Sequence, residues 1–189
     1  SDIESVRSNS SSAAWSVRRG TIDLTHPIVM GVVNVTPDSF SDAGHNLDPI
    51  VAIETGMAMA ESGAAIVDVG GESTRPGSRS VPVAEELKRV IPVIETLAES
   101  GINVSIDTSK PVVAKAALEA GAVVVNDVTG LVDAQMIEIC AEYGAGVVIM
   151  HMLGDPRTMQ DDPHYDDVVA DIAAFLETRA ERAIASGIG

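Results

Sequence analysis

Five short apolar runs, rich in β-branched residues, recur along the chain: IVMGVVN (28–34), AAIVDVG (64–70), NVSIDT (103–108), AVVVNDV (122–128) and GVVIMHM (146–152). Most are near-continuous rather than alternating, which is the pattern of strands buried on both faces. The stretches between them read as amphipathic helices. Asp48 followed by Pro49 predicts a helix start, with Ile50, Ile53, Met57 and Ala60 on one face and Gly63 as the stop. Leu87, Val90, Ile91, Ile94 and Leu97 stripe a second helix that ends at Gly101, and Pro92 is expected to bend it. Ser109 is read as the cap of a third helix closed by Gly121, Asp133 and Gly144 bracket a fourth, and a fifth spans about Asp167 to Ser186.

Buried strands alternating with helices imply an α/β fold with a parallel sheet, either doubly wound or closed into a TM (β/α)8-type barrel. Nearly every run ends in a polar residue: Asn34, Asp68, Asp107, Asn126 with Asp127, and His151. A barrel gathers all such ends at one mouth, where its chemistry sits. A doubly wound sheet concentrates its signal at one switch point, typically with a G-x-G-x-x-G after the first strand, and that motif is missing. The barrel is therefore the expected fold. About five βα units are visible where a complete barrel has eight, so the expectation is a C-terminally truncated portion of a longer protein. Residues 1–13 (SDIESVRSNSSSA) are Ser-rich and without periodicity, which reads as a tail or expression remnant; residues 14–189 form the expected barrel domain, from its first strand to its fifth helix.

Charge narrows the partners. Twelve basic against 28 acidic side chains give a formal charge of −16, which repels nucleic acid and anionic membrane surfaces. No membrane-length apolar run and no secretory signal is visible, so a cytoplasmic address is expected. The same field opposes an anionic small molecule, and a site for one needs a local cation, either an arginine or a metal. Cys140, the one cysteine, reads as a small buried hydrophobe. The histidines show no metal-ligand spacing, His151 reads as structural, and DDPHYDD (161–167) reads as a solvated loop. No nucleophile elbow, P-loop or C-x-x-C is present.

The candidate site lies at the strand ends and in two loops. Asn34 offers a neutral oxygen to a hard cation or paired hydrogen bonds to a ligand; capping its own strand end explains it equally well. GGESTRPGSRS combines paired glycines, the hydroxyls of Ser73 and Thr74, and the guanidinium of Arg75, which supplies the local cation. An ordinary Gly/Pro turn accounts for its glycines and Pro76, though not for the arginine. Asp107 and Asn126 end successive strands and would face one cavity, where a carboxylate beside an amide suits a flat heterocycle with amidine-like N–H edges. Helix capping is the plainer role for Asp107, but Thr108 and Ser109 cap better.

With these residues in view the chain resembles the dihydropteroate synthases. The motifs are MGVVNVTPDSFSDAG, VDVGGESTRPG, VSIDTSKPVVAKAALEAGA, VVNDVTG and VIMHMLGDP, in order over roughly residues 14–187. The resemblance implies a transferase of folate biosynthesis and sulfonamide target. Such an enzyme condenses 6-hydroxymethyl-7,8-dihydropterin pyrophosphate with para-aminobenzoate to 7,8-dihydropteroate, releasing pyrophosphate through a carbocation-like pterin. It implies Asn34 as a ligand of Mg²⁺, Asp107 and Asn126 as binders of the pterin edge, and Asp107 with Arg75 as catalytic residues. Asp38, Ser39 and Phe40 match one closing loop and Ser73, Thr74, Arg75 and Pro76 the other, with Phe40 and Pro76 near the aminobenzoate ring. A homodimer is the implied assembly. The family's Asp on the sixth strand, Lys on the seventh and Arg-x-His on the eighth have no counterpart here, so an inactive fragment is one reading of this chain. A pterin-binding methyltransferase domain and a non-catalytic pterin-binding or association module are the alternatives; the NVTPDSFSD and STRPG loops count against the first.

Overall fold

The computed structural model describes residues 13–36, 49–73, 80–152, 154 and 164–189. The elements run β1 (Ala14–Val17), β2 (Gly20–Asp23), β3 (Met30–Asn34), α1 (Pro49–Glu61), β4 (Ile66–Gly70), α2 (Val83–Glu99), β5 (Val104–Asp107), α3 (Pro111–Ala120), β6 (Val124–Asp127), α4 (Ala134–Tyr143), β7 (Gly146–Ile149) and α5 (Val168–Ala185). Strands β3 to β7 form one parallel sheet in the order in which they occur along the chain. A doubly wound sheet reverses its strand order at the switch point; this one never reverses. The helices α1 to α4 pack each on the next, so they cover one face in sequence, as in a barrel wall. Five strands do not close, and β3 and β7 each have one sheet partner among the described residues.

The two-residue period of the strands sorts their side chains between two cores. Val33, Val67, Val69, Val104, Ile106 and Val125 point toward the helices, where Val90, Val93, Ile94 and Leu97 of α2 and Val113, Ala114, Ala117 and Leu118 of α3 meet them. On the opposite, inner face, Ile66 and Val124 pack with Val17 and Ile22 of the β1–β2 hairpin. That hairpin is not apparent from the pattern along the chain, because each strand has four residues and adjoins a Ser-rich segment. It underlies the amino-terminal end of the inner face, and Gly146 lets it approach: a Cβ there would lie 2.8 Å from Val17 and 2.9 Å from the Trp15 ring.

The helix boundaries follow local chemistry, with one correction. Asp133 accepts a hydrogen bond from the Gln135 amide and Asp167 from those of Val169 and Ala170, while Gly121 and Gly144 close α3 and α4 in the left-handed conformation. Ser109 does not cap α3. Pro111 occupies the first helical position, its fixed φ makes the preceding Lys110 the extended cap residue, and no side chain caps this end. Pro92 lies within an uninterrupted α2, whose Val90, Val93, Ile94 and Leu97 are wholly buried. Asp48 and the segment 1–12 lie outside the described residues. No helix among the described residues is long and apolar enough to cross a membrane.

The two faces differ in what they bury. Ile106, facing the helices, is 0% exposed, whereas Val32, on the inner face at the β3 edge, is 51% exposed. In denaturant titrations Ile106→Ala is expected to cost ~2–5 kcal/mol, the cavity-forming range, and Val32→Ala to stay within about 0.5 kcal/mol.

Candidate functional site at the strand ends

Register brings the polar strand ends into one row. Asn34 pairs with Gly70, Gly70 with Asp107, and Asp107 with Asn126, so these residues stand side by side on the inner face of β3, β4, β5 and β6. The row one step nearer the hairpin contains Val32, Asp68, Ser105 and Val124. The inner face therefore passes from an apolar floor over the hairpin to a polar rim at the carboxyl ends. Gly70 keeps that rim open: a Cβ there would lie 3.4 Å from Asp107 Oδ2 and 3.5 Å from Asn34 Oδ1. The glycine leaves a gap between an amide and a carboxylate.

Asp107 is the most perturbed carboxylate of this group. Its Oδ1 is buried without a hydrogen-bond partner among the described residues. Burial, and then the negative charges of Asp68, Glu86, Asp127 and Glu72, push its pKa up to about 7. An orphaned, desolvated acid is costly unless something supplies it with donors.

Asn126, beside it in the row, is held by Asp68. Asn126 Nδ2 donates to Asp68 Oδ2 at 2.9 Å, spanning from β6 to β4. Burial raises the Asp68 pKa, and the Ser105 and Asn126 side chains oppose the rise. The Ser105 contribution is weak in this geometry, since neither Ser105 Oγ nor Asp68 Oδ1 has a hydrogen-bond partner among the described residues. From the sequence alone Asp68 reads as a polar strand end without a role in the site. The available signal was a carboxylate inside an otherwise apolar run, AAIVDVG, which needs a partner wherever it is buried.

The other polar strand ends diverge. Asp127 follows Asn126 and so faces away from the inner row; its Oδ1 accepts from Thr129 N and Oγ1 and its Oδ2 from Leu131 N, which builds the turn before α4. His151 packs between Tyr165 and the edge of Phe175, with ring centroids 5.8 and 4.9 Å away, in keeping with a structural histidine. Cys140 is buried on α4, and burial pushes its thiol up to about 12, which makes it inert. Ser73 lies half-buried beyond β4. Asp38, Ser39, Phe40, Thr74, Arg75 and Pro76 lie outside the described residues. A separate groove of about 480 Å³ along β3 and α1, lined by Val29, Gly31, Ala58 and Met59 among others, has no titratable side chain among the described residues. It offers volume without chemistry.

Sequentially ordered parallel strands, a helical layer on one face and a polar row at the carboxyl ends define the ligand-binding wall of an α/β barrel. The chain belongs to the pterin binding enzyme family, whose model matches residues 30–189. Dihydropteroate synthase from Escherichia coli K12 is 47% identical over 169 residues, which are 89% of this chain and 60% of that protein. The solved structure of Xanthomonas albilineans dihydropteroate synthase with 4-aminobenzoic acid superposes with a TM-score of 0.81 at 48% identity, covering 89% of this chain and 60% of that one. That of Burkholderia cenocepacia dihydropteroate synthase complexed with 7,8-dihydropteroate gives a TM-score of 0.81 at 40% identity, covering 94% and 60%. The chain thus spans about 60% of the length of these relatives.

The ionisation of Asp107 is measurable. With a pKa of about 7 when folded against 3.8 ordinarily, its contribution to stability is fully present below about pH 4 and is lost as the pH rises through 7. Asp107→Asn cannot ionise, so its denaturation midpoint is expected to fall less between pH 5 and pH 8 than that of the parent. Equal pH responses in the two proteins would show that Asp107 is already charged at pH 5.

Proposed function

We propose that this chain carries the pterin-binding wall of a dihydropteroate synthase site. The reaction joins para-aminobenzoate to 6-hydroxymethyl-7,8-dihydropterin pyrophosphate, giving 7,8-dihydropteroate and pyrophosphate. The observation that carries this reading is the buried Oδ1 of Asp107, without a hydrogen-bond partner among the described residues, beside Asn126 and the gap at Gly70. A pterin presents adjacent N–H groups along one edge, and a carboxylate accepts them in pairs. With its nitrogen committed to Asp68, Asn126 offers its carbonyl oxygen as a further acceptor. Two acceptors side by side on a stiff sheet select a flat donor edge and hold the ring still.

In the chemical step the bond from the pterin methylene carbon to the diphosphate oxygen breaks, and its electron pair leaves with pyrophosphate. The amine lone pair of para-aminobenzoate forms the new C–N bond, and the nitrogen then loses a proton. Positive charge spreads over the pterin as the first bond breaks. An Asp107 carboxylate hydrogen-bonded to the pterin edge is pre-organised to stabilise that charge. Donors from the pterin favour the ionised carboxylate, so binding draws the raised pKa of Asp107 downward.

Asn34 is the residue that would hold Mg²⁺. A single amide oxygen beside the Gly70 gap fits an ion that takes most of its ligands from water and substrate phosphates, and no cluster of three His, Cys, Asp or Glu among the described residues forms an all-protein cage. When bound, the ion neutralises charge on the departing diphosphate. Arg75 is the candidate cation for the same anion in a chain of net charge −16. Asp38, Ser39, Phe40, Ser73, Thr74 and Pro76 are the further candidates for substrate binding, with Phe40 and Pro76 near the aminobenzoate ring, where excluding water protects the cationic pterin from hydrolysis.

The deciding assay supplies both substrates and Mg²⁺ to this chain and to one extended by three βα units. Pteroate formation by at least one of them is expected; silence from both, with pterin still bound, would leave a pterin-binding module. In the active form, Asp107→Asn is expected to lower turnover by roughly a hundredfold, the scale of a lost electrostatic contact in the transition state, while weakening pterin binding less. Pterin affinity of the parent should rise between pH 6 and pH 8 as the carboxylate ionises, and that of the variant should stay flat. Equal turnover for parent and variant would remove the electrostatic role.

A further inference from the structure

The bond that fixes Asn126 crosses a strand. Asp68 of β4 stands beside Ser105 of β5, and Asn126 of β6 stands beside Asp107 of β5. The 2.9 Å contact from Asn126 Nδ2 to Asp68 Oδ2 therefore passes over β5, between Ser105 and Asp107. The small side chain of Ser105 leaves the crossing open. Asp68 is 2% exposed and Ser105 0%, and the floor below them, Ile66 and Val124, is sealed by the hairpin. In such dry surroundings a charge-assisted hydrogen bond is strong and a mismatched one is costly.

The chemistry of the two partners permits one orientation. A carboxylate has acceptors only, whereas an amide has a donor end and an acceptor end. Turning Asn126 over would set its oxygen against the Asp68 carboxylate and leave both without a donor. Burial raises the Asp68 pKa, and the Ser105 and Asn126 side chains oppose that rise, so the bond itself favours the ionised, acceptor-only form. With Nδ2 fixed on Asp68, the place of the Asn126 oxygen is fixed too. It belongs to the same row as Asp107, whose Oδ1 has no hydrogen-bond partner among the described residues. An asparagine can ordinarily turn either end to a ligand; this one is set to show its acceptor.

We propose that Asp68 is a positioning residue that gives the site its specificity: by fixing the Asn126 amide it makes the row demand a ring amine and reject the same ring with a carbonyl in that place. The proposal rests on the pteroate-forming reading of the site. It assigns to Asp68 no contact with the ligand and no proton transfer.

The test uses Asp68→Asn, which keeps the shape of the side chain but can donate or accept, so that both orientations of Asn126 find a partner. Binding of pterin is compared with that of lumazine, the same ring with a 2-oxo group in place of the 2-amino group, at a pH where both are neutral. The parent is expected to prefer pterin by about a hundredfold or more, because the wrong ring leaves buried polar groups unpaired. Asp68→Asn should cut that preference about tenfold or more, while Ser105→Ala, which removes the neighbouring hydroxyl and leaves the bond in place, should keep it within about twofold. Loss of the Asp68 charge also eases the ionisation of Asp107, but both rings keep an N–H for that carboxylate, so the ratio isolates the amide. An unchanged ratio in Asp68→Asn, or an equal fall in Ser105→Ala, would overturn the proposal. A parent that binds neither ring would instead remove the pteroate reading. The hold on Asn126 is then read without ligand, from NMR exchange of its side-chain amide protons, which Asp68→Ala should accelerate about tenfold or more; unchanged exchange would show that Asp68 does not fix the amide.

Discussion

The site depends on parity: in a β-strand every second side chain faces the same way, and in-register parallel pairing carries that alternation across neighbours. Asn34, Gly70 and Asn126 sit an even number of steps from Met30, Ile66 and Val124 of the inner floor, and register places Asp107 beside Gly70 and Asn126 on the same face. Shifting any one strand by a single residue would turn its valines inward and its polar end toward the helices. The register is defended by the helix-facing core, where Val69, Ile106 and Val125 are fully buried against α2 and α3. Each such side chain contributes about 1.5–3 kcal/mol by leaving water. Packing on one face thus dictates chemistry on the other.

That arrangement sustains a local penalty. Asp68 and Asp107 are carboxylates withdrawn from water, near Glu86, Glu72 and Asp127, in a chain that is already strongly negative. Asp68 is partly compensated by the Asn126 amide, and Glu86 by Thr108 and Lys110. Asp107 has no such partner on Oδ1 among the described residues, and its raised pKa is the signature of that deficit. A ligand with a donor edge relieves the deficit, so the free energy withheld in folding is returned on binding. Perturbed ionisation clusters at functional sites, although buried structural networks produce it too.

Much of the architecture is legible in the order of residues alone, because its causes are local. The five apolar runs, the caps at Asp133 and Asp167, and the stops at Gly121 and Gly144 each depend on a few neighbouring residues, and the elements appear there. The hairpin was not legible, since four-residue strands carry too short a pattern to separate from the adjoining Ser-rich segment. Residue type favours Ser109 as a cap, but Pro111 moves the helix start one place along.

What the order of residues determined by itself was the alternation of strand and helix and the placing of amides and carboxylates at strand ends, because period and residue type are properties of short stretches. Tertiary structure alone decided which of these polar groups meet. Asp68 joins Asn126 across 58 positions, Asp127 turns away to build a turn, and Lys110 gathers Glu72 and Glu86 from 38 and 24 positions away. The ionisation of Asp107 likewise sums burial and charges contributed by separate elements. Such quantities depend on distances through space, and these come into being only when register and packing are complete.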